Sequence, residues 1–380
     1  MSAWPPSGPV MGFSTWYAFR TAISESLVLS QAQALVNSGL AAAGYNCVNL
    51  DDGWMAPARD ANGELAPDPA KFPNGMAALA SEIHALGLKF GVYTAIGTRT
   101  CQNLPGSWTH YGRDADTFAR WDVDFVKVDQ CGGLPTWATQ DTVTEDFRIF
   151  GNCLYDAIPG VVYSQELPLW ALNTTGANFT SAVVSSAANS NMWRVAADEY
   201  PLTQANAYPM VLNHLAADLH LHGYASPGHW NDLDMVAPGY PAVSGWTLQD
   251  LKNQLAVWAL EASPLIISAD LPALPVDALA CLLNPHLVAI DQSGVQCPTS
   301  VTVGHVQALV KPDPRGGIAA CFVNMGTGTA SAQFTLSQLG ISSAQATATD
   351  VWAGTVTAPF SSVSVTLAVN TTRLLQIQEA

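Results

Sequence analysis

Over roughly the first 290 residues, short runs rich in β-branched and aromatic residues alternate with longer Ala/Leu-rich stretches of helical spacing. This alternation constrains the fold more than any single residue. A strand that is followed by a helix and then by another strand returns to its sheet by a crossover, and repeated units of this kind build parallel sheets. Strand candidates fall at 10–16, 45–51, 88–94, 124–129, 160–165, 192–195, 228–232 and 264–268. The spacing predicts helices over 30–43, 75–86, 114–121, 144–157, 210–222, 247–262 and 276–283. Eight such units favour a closed barrel over an open doubly wound sheet. No G-x-G-x-x-G follows the first strand, which argues against a dinucleotide-binding sheet.

After about Cys297 the helical patterns stop. The remainder is rich in Val, Thr, Ser, Ala and Gly, with strand-like runs at 301–309, 317–324, 332–336 and 363–369. The expected fold is therefore α/β: a (β/α)₈ TIM barrel over 1–296, followed by a small C-terminal antiparallel β-sandwich domain over 297–380.

Charge narrows the partners. The chain has 30 Asp+Glu against 14 Lys+Arg, a net charge of -16. Such a surface repels phosphate backbones and anionic membranes, so neither nucleic acid nor membrane is an expected partner. The most apolar region, 255–271, is interrupted by Glu261 and Pro264 and does not read as a membrane span. The N-terminal MSAWPPSGPV has no basic start and no apolar core. The expectation is a secreted or extracytoplasmic protein whose signal is absent from this sequence, with the cytoplasm left open. Composition leaves self-association open.

In a barrel of this type the functional site lies at the C-terminal ends of the strands. Those ends carry Trp16, the pair Asp51 and Asp52, Tyr93, Lys127 and Asp129, Glu166, Arg194 and Asp198, and Asp232 with Asp234. In the fourth strand, DFVKVD, alternation places Phe125, Lys127 and Asp129 on one face and the two valines on the other. A carboxylate ring could hold a cation, but Lys127 and Arg194 would repel one. His214, His220 and His222 form no H-E-x-x-H arrangement, so no metal is expected. The same ring suits a sugar, whose hydroxyls need acceptors, charged donors and an aromatic wall. Glycoside hydrolysis then requires two carboxyl groups. Asp129 fits the nucleophile, kept ionised by Lys127, and Asp198 is a candidate acid by position.

The ordered blocks MGFSTW, GYNCVNLDDGW, FPNGM, GLKFGVYT, DFVKVDQC, SQELPLW, MWRVAAD and GHWNDLDM resemble glycoside hydrolase family 27, the α-galactosidase and α-N-acetylgalactosaminidase family. The resemblance implies a barrel followed by an antiparallel β domain. It implies retention of anomeric configuration without a cofactor, with Asp129 as nucleophile and Asp198 as acid/base. It implies that Asp51 and Asp52 bind O4 and O6 of galactose, that Lys127 binds O3 and O4, and that Arg194 lies near O2 and O3. Trp16, Tyr93, Trp170, Asp234 and Met235 match pocket positions. Glu166 and Leu169 match residues that fill the space an N-acetyl group would need. Cys101 and Cys131 match a bridged pair. The expected partner is an oligosaccharide or other glycoside.

Gly53, Trp170 and Ala95 depart from the family pattern. They leave room for another specificity of the same family: β-L-arabinopyranosidase, α-N-acetylgalactosaminidase or isomalto-dextranase. A non-catalytic sugar-binding barrel is the alternative from another class.

Overall fold

The computed structural model describes residues 4–198, 207–238, 246–297 and 299–380. The chain divides into two compact units. One comprises Met1–Ala197, Gly228–Ala237 and Pro264–Leu274; the other comprises Asp198–Pro227, Pro238–Ser263 and Pro275–Ala380.

The first unit is built on eight parallel strands: β1 (Met11–Ser14), β2 (Cys47–Asn49), β3 (Lys89–Ala95), β4 (Phe125–Asp129), β5 (Val162–Gln165), β6 (Met192–Arg194), β7 (Trp230–Asp232) and β8 (Leu265–Ile267). Their order is β7-β6-β5-β4-β3-β2-β1-β8. A parallel bridge between Val236, just past β7, and Ile267 joins the two ends. The ring is therefore closed, as the alternation predicts. Most strand residues are buried on both faces, which is why these segments read as apolar runs rather than alternating ones. Gly91 of β3 is fixed by close approach: a Cβ there would overlap the amide oxygen of Asn49 and touch Phe125.

The element ends follow local chemistry. The expected helix 30–43 is in fact Glu25–Asn37, capped by Ser24, whose hydroxyl accepts from Leu27 N–H. Gly39, at φ 86°, breaks it from the short helix Leu40–Ala43. Thr139 forms a capping box and starts its helix at Gln140, four residues ahead of the expected start. The first strand stops at Ser14, short of the expected 16, and Trp16–Phe19 makes one helical turn. Helices Leu167–Leu172 and Phe179–Asn189 were not expected from the sequence.

The second unit contains β9 (Thr299–Val303), β10 (Val306–Pro312), β11 (Ile318–Asn324), β12 (Ala330–Thr335), β13 (Ala346–Asp350), β14 (Ser362–Leu367) and β15 (Thr372–Glu379). They form antiparallel sheets ordered β13-β15-β11-β10-β9 and β12-β14. Val306, Phe322, Phe334, Val365 and Leu375 share their core. The expected run 301–309 is two strands, because Gly304 at φ 60° turns the chain.

This unit also buries charge beside the helix Leu248–Glu261. Lys311 Nζ donates to the carbonyls of Ala259 (2.6 Å) and Val295 (2.9 Å). Burial pulls its pKa down to about 8. His222 Nε2 stands 2.7 Å from Glu261 Oε2, with Asp218 in the same group. Burial pushes Glu261 up to about 8. No helix among the described residues is long and apolar enough to cross a membrane.

Candidate active site

The strand ends of the first unit deliver their polar residues to one place. Asp51 and Asp52, directly after β2, are almost fully buried. Asp51 donates its backbone N–H to Thr15 Oγ1 at 3.0 Å, which ties the end of β2 to that of β1. Asp52 Oδ1 accepts from Gly53 N–H (2.7 Å) and its Oδ2 from Gln102 N–H (2.9 Å). Burial nevertheless raises the Asp52 pKa to about 6, with the Asp51 charge adding to the rise and the Gln102 bond opposing it.

Lys127 lies at the centre of the polar network. Its Nζ stands 3.0 Å from Asp51 Oδ2, 3.5 Å from Glu166 Oε1 and 5.3 Å from the centre of the Tyr93 ring. Burial opposes its charge, but Asp51, Glu166 and Asp129 together hold its pKa well above the ordinary lysine value. Glu166 sits at the end of β5 and precedes the helix Leu167–Leu172, which carries buried Leu169 and half-buried Trp170. Arg194 Nη1 at the end of β6 is 3.5 Å from Glu166 Oε1 and 3.1 Å from Asp234 Oδ1. Cation and carboxylate therefore alternate along the sequence Asp51, Lys127, Glu166, Arg194, Asp234.

The segment after β7 completes this side. Asp234 adopts φ 88° and donates its backbone N–H to Asp232 Oδ1 at 2.8 Å. This left-handed conformation is uncommon for a residue with a Cβ, and it costs on the order of 1 kcal/mol or more. Tyr17 O–H donates to Asp234 Oδ2, and Tyr17 N–H donates to Ser268 Oγ at 2.8 Å. Burial raises Asp232 to about 6, against the pull of Arg194. Asp51, Lys127, Arg194, Asp232, Asp234 and Met235 line one pocket in the barrel interior.

Asp129 ends β4 and is 7% exposed. Its Oδ1 accepts from Cys131 N–H at 2.9 Å. Cys131 is bonded to Cys101, as the resemblance implies, and the other five cysteines are free. The Tyr93 hydroxyl donates to Cys101 Sγ at 3.5 Å. Burial, and next the charges of Asp129, Asp52, Asp51 and Glu166, push the Tyr93 phenol well above its ordinary pKa. It therefore remains a neutral donor. Trp16 is half-buried, with the Arg20 guanidinium 4.9 Å over its ring. Asp198 falls four residues past β6, in the second compact unit, and is exposed.

Sequence reasoning missed Tyr17 as a site residue and gave Asp232 no role. Asp232 carried a signal, since it is an acidic strand end. Tyr17 carried none, because its reach to Asp234 spans 217 positions.

A carboxylate-rich pocket with two cations, at the C-terminal ends of a parallel barrel, defines the class: a glycoside hydrolase. Residues 10–293 match the family model described as alpha galactosidase A, and residues 303–377 match that of the alpha galactosidase C-terminal beta sandwich domain. The chain belongs to glycoside hydrolase family 27. It is 34% identical over 325 residues to alpha-galactosidase A of Cellvibrio japonicus, covering 83% of this chain and 76% of that one. It is 31% identical over 355 residues to alpha-galactosidase 2 of Arabidopsis thaliana, covering 90% and 82%. Alpha-galactosidase I from Mortierella vinacea superposes with a TM-score of 0.85 at 25% identity, over 99% of this chain and 98% of that one.

Proposed function

We propose that this chain is a retaining exo-α-galactosidase. In this reading Asp129 attacks the anomeric carbon and forms a glycosyl ester while Asp198 protonates the departing oxygen. Asp198 then takes a proton from the water that hydrolyses the ester. Lys127 orients the sugar through O3 and O4, Asp51 and Asp52 through O4 and O6, and Arg194 through O2 and O3. Glu166 and Leu169 exclude an N-acetyl group. Trp16, Tyr93, Trp170, Asp234 and Met235 complete the wall. The exposure of Asp198 suits a residue that meets a leaving group on its way to solvent.

The observation that carries the reading is the chain of alternating charges centred on Lys127. It offers fixed acceptors and donors to several hydroxyls of one ring without a metal. The same reading takes 1–296 as the catalytic barrel and 297–380 as the β-sandwich domain, supported by where the two family models match. It places the protein outside the cytoplasm, where a bridge such as Cys101–Cys131 persists. Its partner is an α-galactoside.

The test is a panel of aryl glycosides: α-galactoside, α-N-acetylgalactosaminide, β-L-arabinopyranoside and α-glucoside. The α-galactoside should lead by about tenfold or more in kcat/KM, about 1.4 kcal/mol of transition-state binding. Another sugar in the lead refutes the specificity. Asp129→Asn should abolish turnover, and surviving activity in a clean preparation refutes the nucleophile.

A further inference from the structure

The Cys101–Cys131 bridge joins two loops, and each loop holds a carboxylate of the proposed site by a backbone N–H. Cys131 itself donates to Asp129 Oδ1 at 2.9 Å. Gln102, next to Cys101, donates to Asp52 Oδ2 at 2.9 Å. The two carboxylates come from different strand ends, β4 and β2. One covalent bond therefore fixes the relative position of both donors. The Tyr93 hydroxyl meets Cys101 Sγ and adds a third residue of the proposed site to the cluster.

Gln102 sits in a turn closed by Thr100 N–H to Leu104 O and Asn103 N–H to Thr100 O, both 2.9 Å, whereas the backbone around Cys131 does little to fix its donor. Residues 130–135 carry neither helix nor strand, and Gly132 and Gly133 adopt φ 76° and 81°. Two further hydrogen bonds join the loops, from Arg99 N–H to Gly132 O and from Thr98 Oγ1 to Gly133 O. Opening the bridge should therefore loosen the loops without detaching them.

We propose that the Cys101–Cys131 bridge is a positioning device for the active site, setting the orientation of Asp52 and Asp129 through the N–H groups of Gln102 and Cys131. The proposal rests on the reading of Asp129 as nucleophile and Asp52 as a sugar ligand. A donor to an ionised carboxylate stabilises its charge, and the Gln102 N–H is the largest influence opposing the burial of Asp52. With the bridge open, Asp52 retains its proton to higher pH and loses its fixed aim, so sugar binding weakens first.

The experiment uses the intact protein. Cys101 is exposed and Cys131 half-buried, so a phosphine reductant reaches the bridge under native conditions. Denatured without reductant, the protein should show five thiols, rising to seven when the bridge is open. KM, kcat and the pH profile are then compared for the oxidised, reduced and reoxidised protein and for Cys101→Ser/Cys131→Ser. Backbone amide exchange is followed alongside.

The open bridge should raise KM about tenfold and move the acidic limb of kcat/KM up by about one pH unit, reversibly on reoxidation. Amides 102 and 131 should exchange faster while those of β4 stay protected. Unchanged KM and pH limb at seven thiols overturn the proposal. So does loss of protection through β3 and β4 together, which would make the bridge a staple of the fold. Asp129→Asn with the bridge intact separates the two readings: turnover surviving it refutes the nucleophile, whatever the bridge does to KM and to the pH limb.

Discussion

Replacing Lys127 by methionine keeps most of the stem and removes the charge between Asp51 and Glu166. Each ion pair, at 3.0 and 3.5 Å, corresponds to ~5 kcal/mol of Coulomb energy at an effective dielectric of about 20, before desolvation is subtracted. The desolvation of a buried ammonium offsets much of this, and a side chain still 19% exposed is partly screened by water. Removing one partner of a buried pair typically costs about 3–5 kcal/mol. Arg194 still faces Glu166, so the lower end applies, about 3 kcal/mol near pH 8.

The loss should depend on pH. Asp52 and Asp232, each raised by burial to about 6, are mostly protonated near pH 5, so the pocket then holds less negative charge for Lys127 to offset. The destabilisation should therefore be smaller near pH 5 than near pH 8. Catalysis loses a charge-assisted donor to the sugar, and kcat/KM should fall about 10- to 150-fold. Urea unfolding at both pH values and initial rates on an aryl α-galactoside measure all three quantities. Urea midpoints equal to those of the parent at both pH values, with kcat/KM within about threefold of it, would refute the central place given to Lys127.

Glu261→Gln removes a carboxyl whose folded pKa is raised by burial to about 8 from the ordinary 4.5. Its stability contribution is full below about pH 4.5 and is lost as pH rises through about 8. The variant should therefore lose up to ~1.4 kcal/mol per pH unit of that decline in unfolding free energy, and parallel pH–stability curves for the two proteins would contradict this. Gly91→Ala drives a methyl into the Asn49 amide oxygen and should cost about 1–3 kcal/mol in thermal unfolding; an unchanged melting temperature would mean that the barrel interior yields there. Asp198→Asn should impair galactosides with poor leaving groups far more than activated aryl ones, and equal losses on both count against its role as the acid.

The barrel was legible in the sequence because its strands are buried on both faces and so stand out as β-rich runs between helices. What escaped was what composition does not mark. Thr372–Glu379, TRLLQIQE, lies among the β-domain segments without the Val/Thr texture of its neighbours, and the turn at Gly304 hides inside one apolar run. The helix Phe179–Asn189 carries three Ser in eleven residues, and its cap on Asn178 is a local signal easily read as a loop. In the site, Asp51, Lys127, Glu166 and Arg194 were findable because strand ends are fixed by periodicity. The link from Tyr17 to Asp234, and the grouping of His222 with Glu261 across 39 positions, depend on tertiary packing that no local pattern encodes.

Where the ring of strands closes has a dynamic consequence. Strands β3 and β4 are zipped over five residue pairs. Among the described residues, the join between the β7 side and β8 rests on two hydrogen bonds, Val236 N–H to Ile266 O and Ser268 N–H to Val236 O, both 2.8 Å. Local opening is drawn from the places where the fewest bonds must break together. This seam is such a place, and it borders Asp232, Asp234 and Arg194. A sugar bound there would bind the closed ring better than the parted one and would suppress the breathing of the seam by mass action. The substrate would then act as a temporary stave of the barrel, and the unliganded enzyme would be the more vulnerable form.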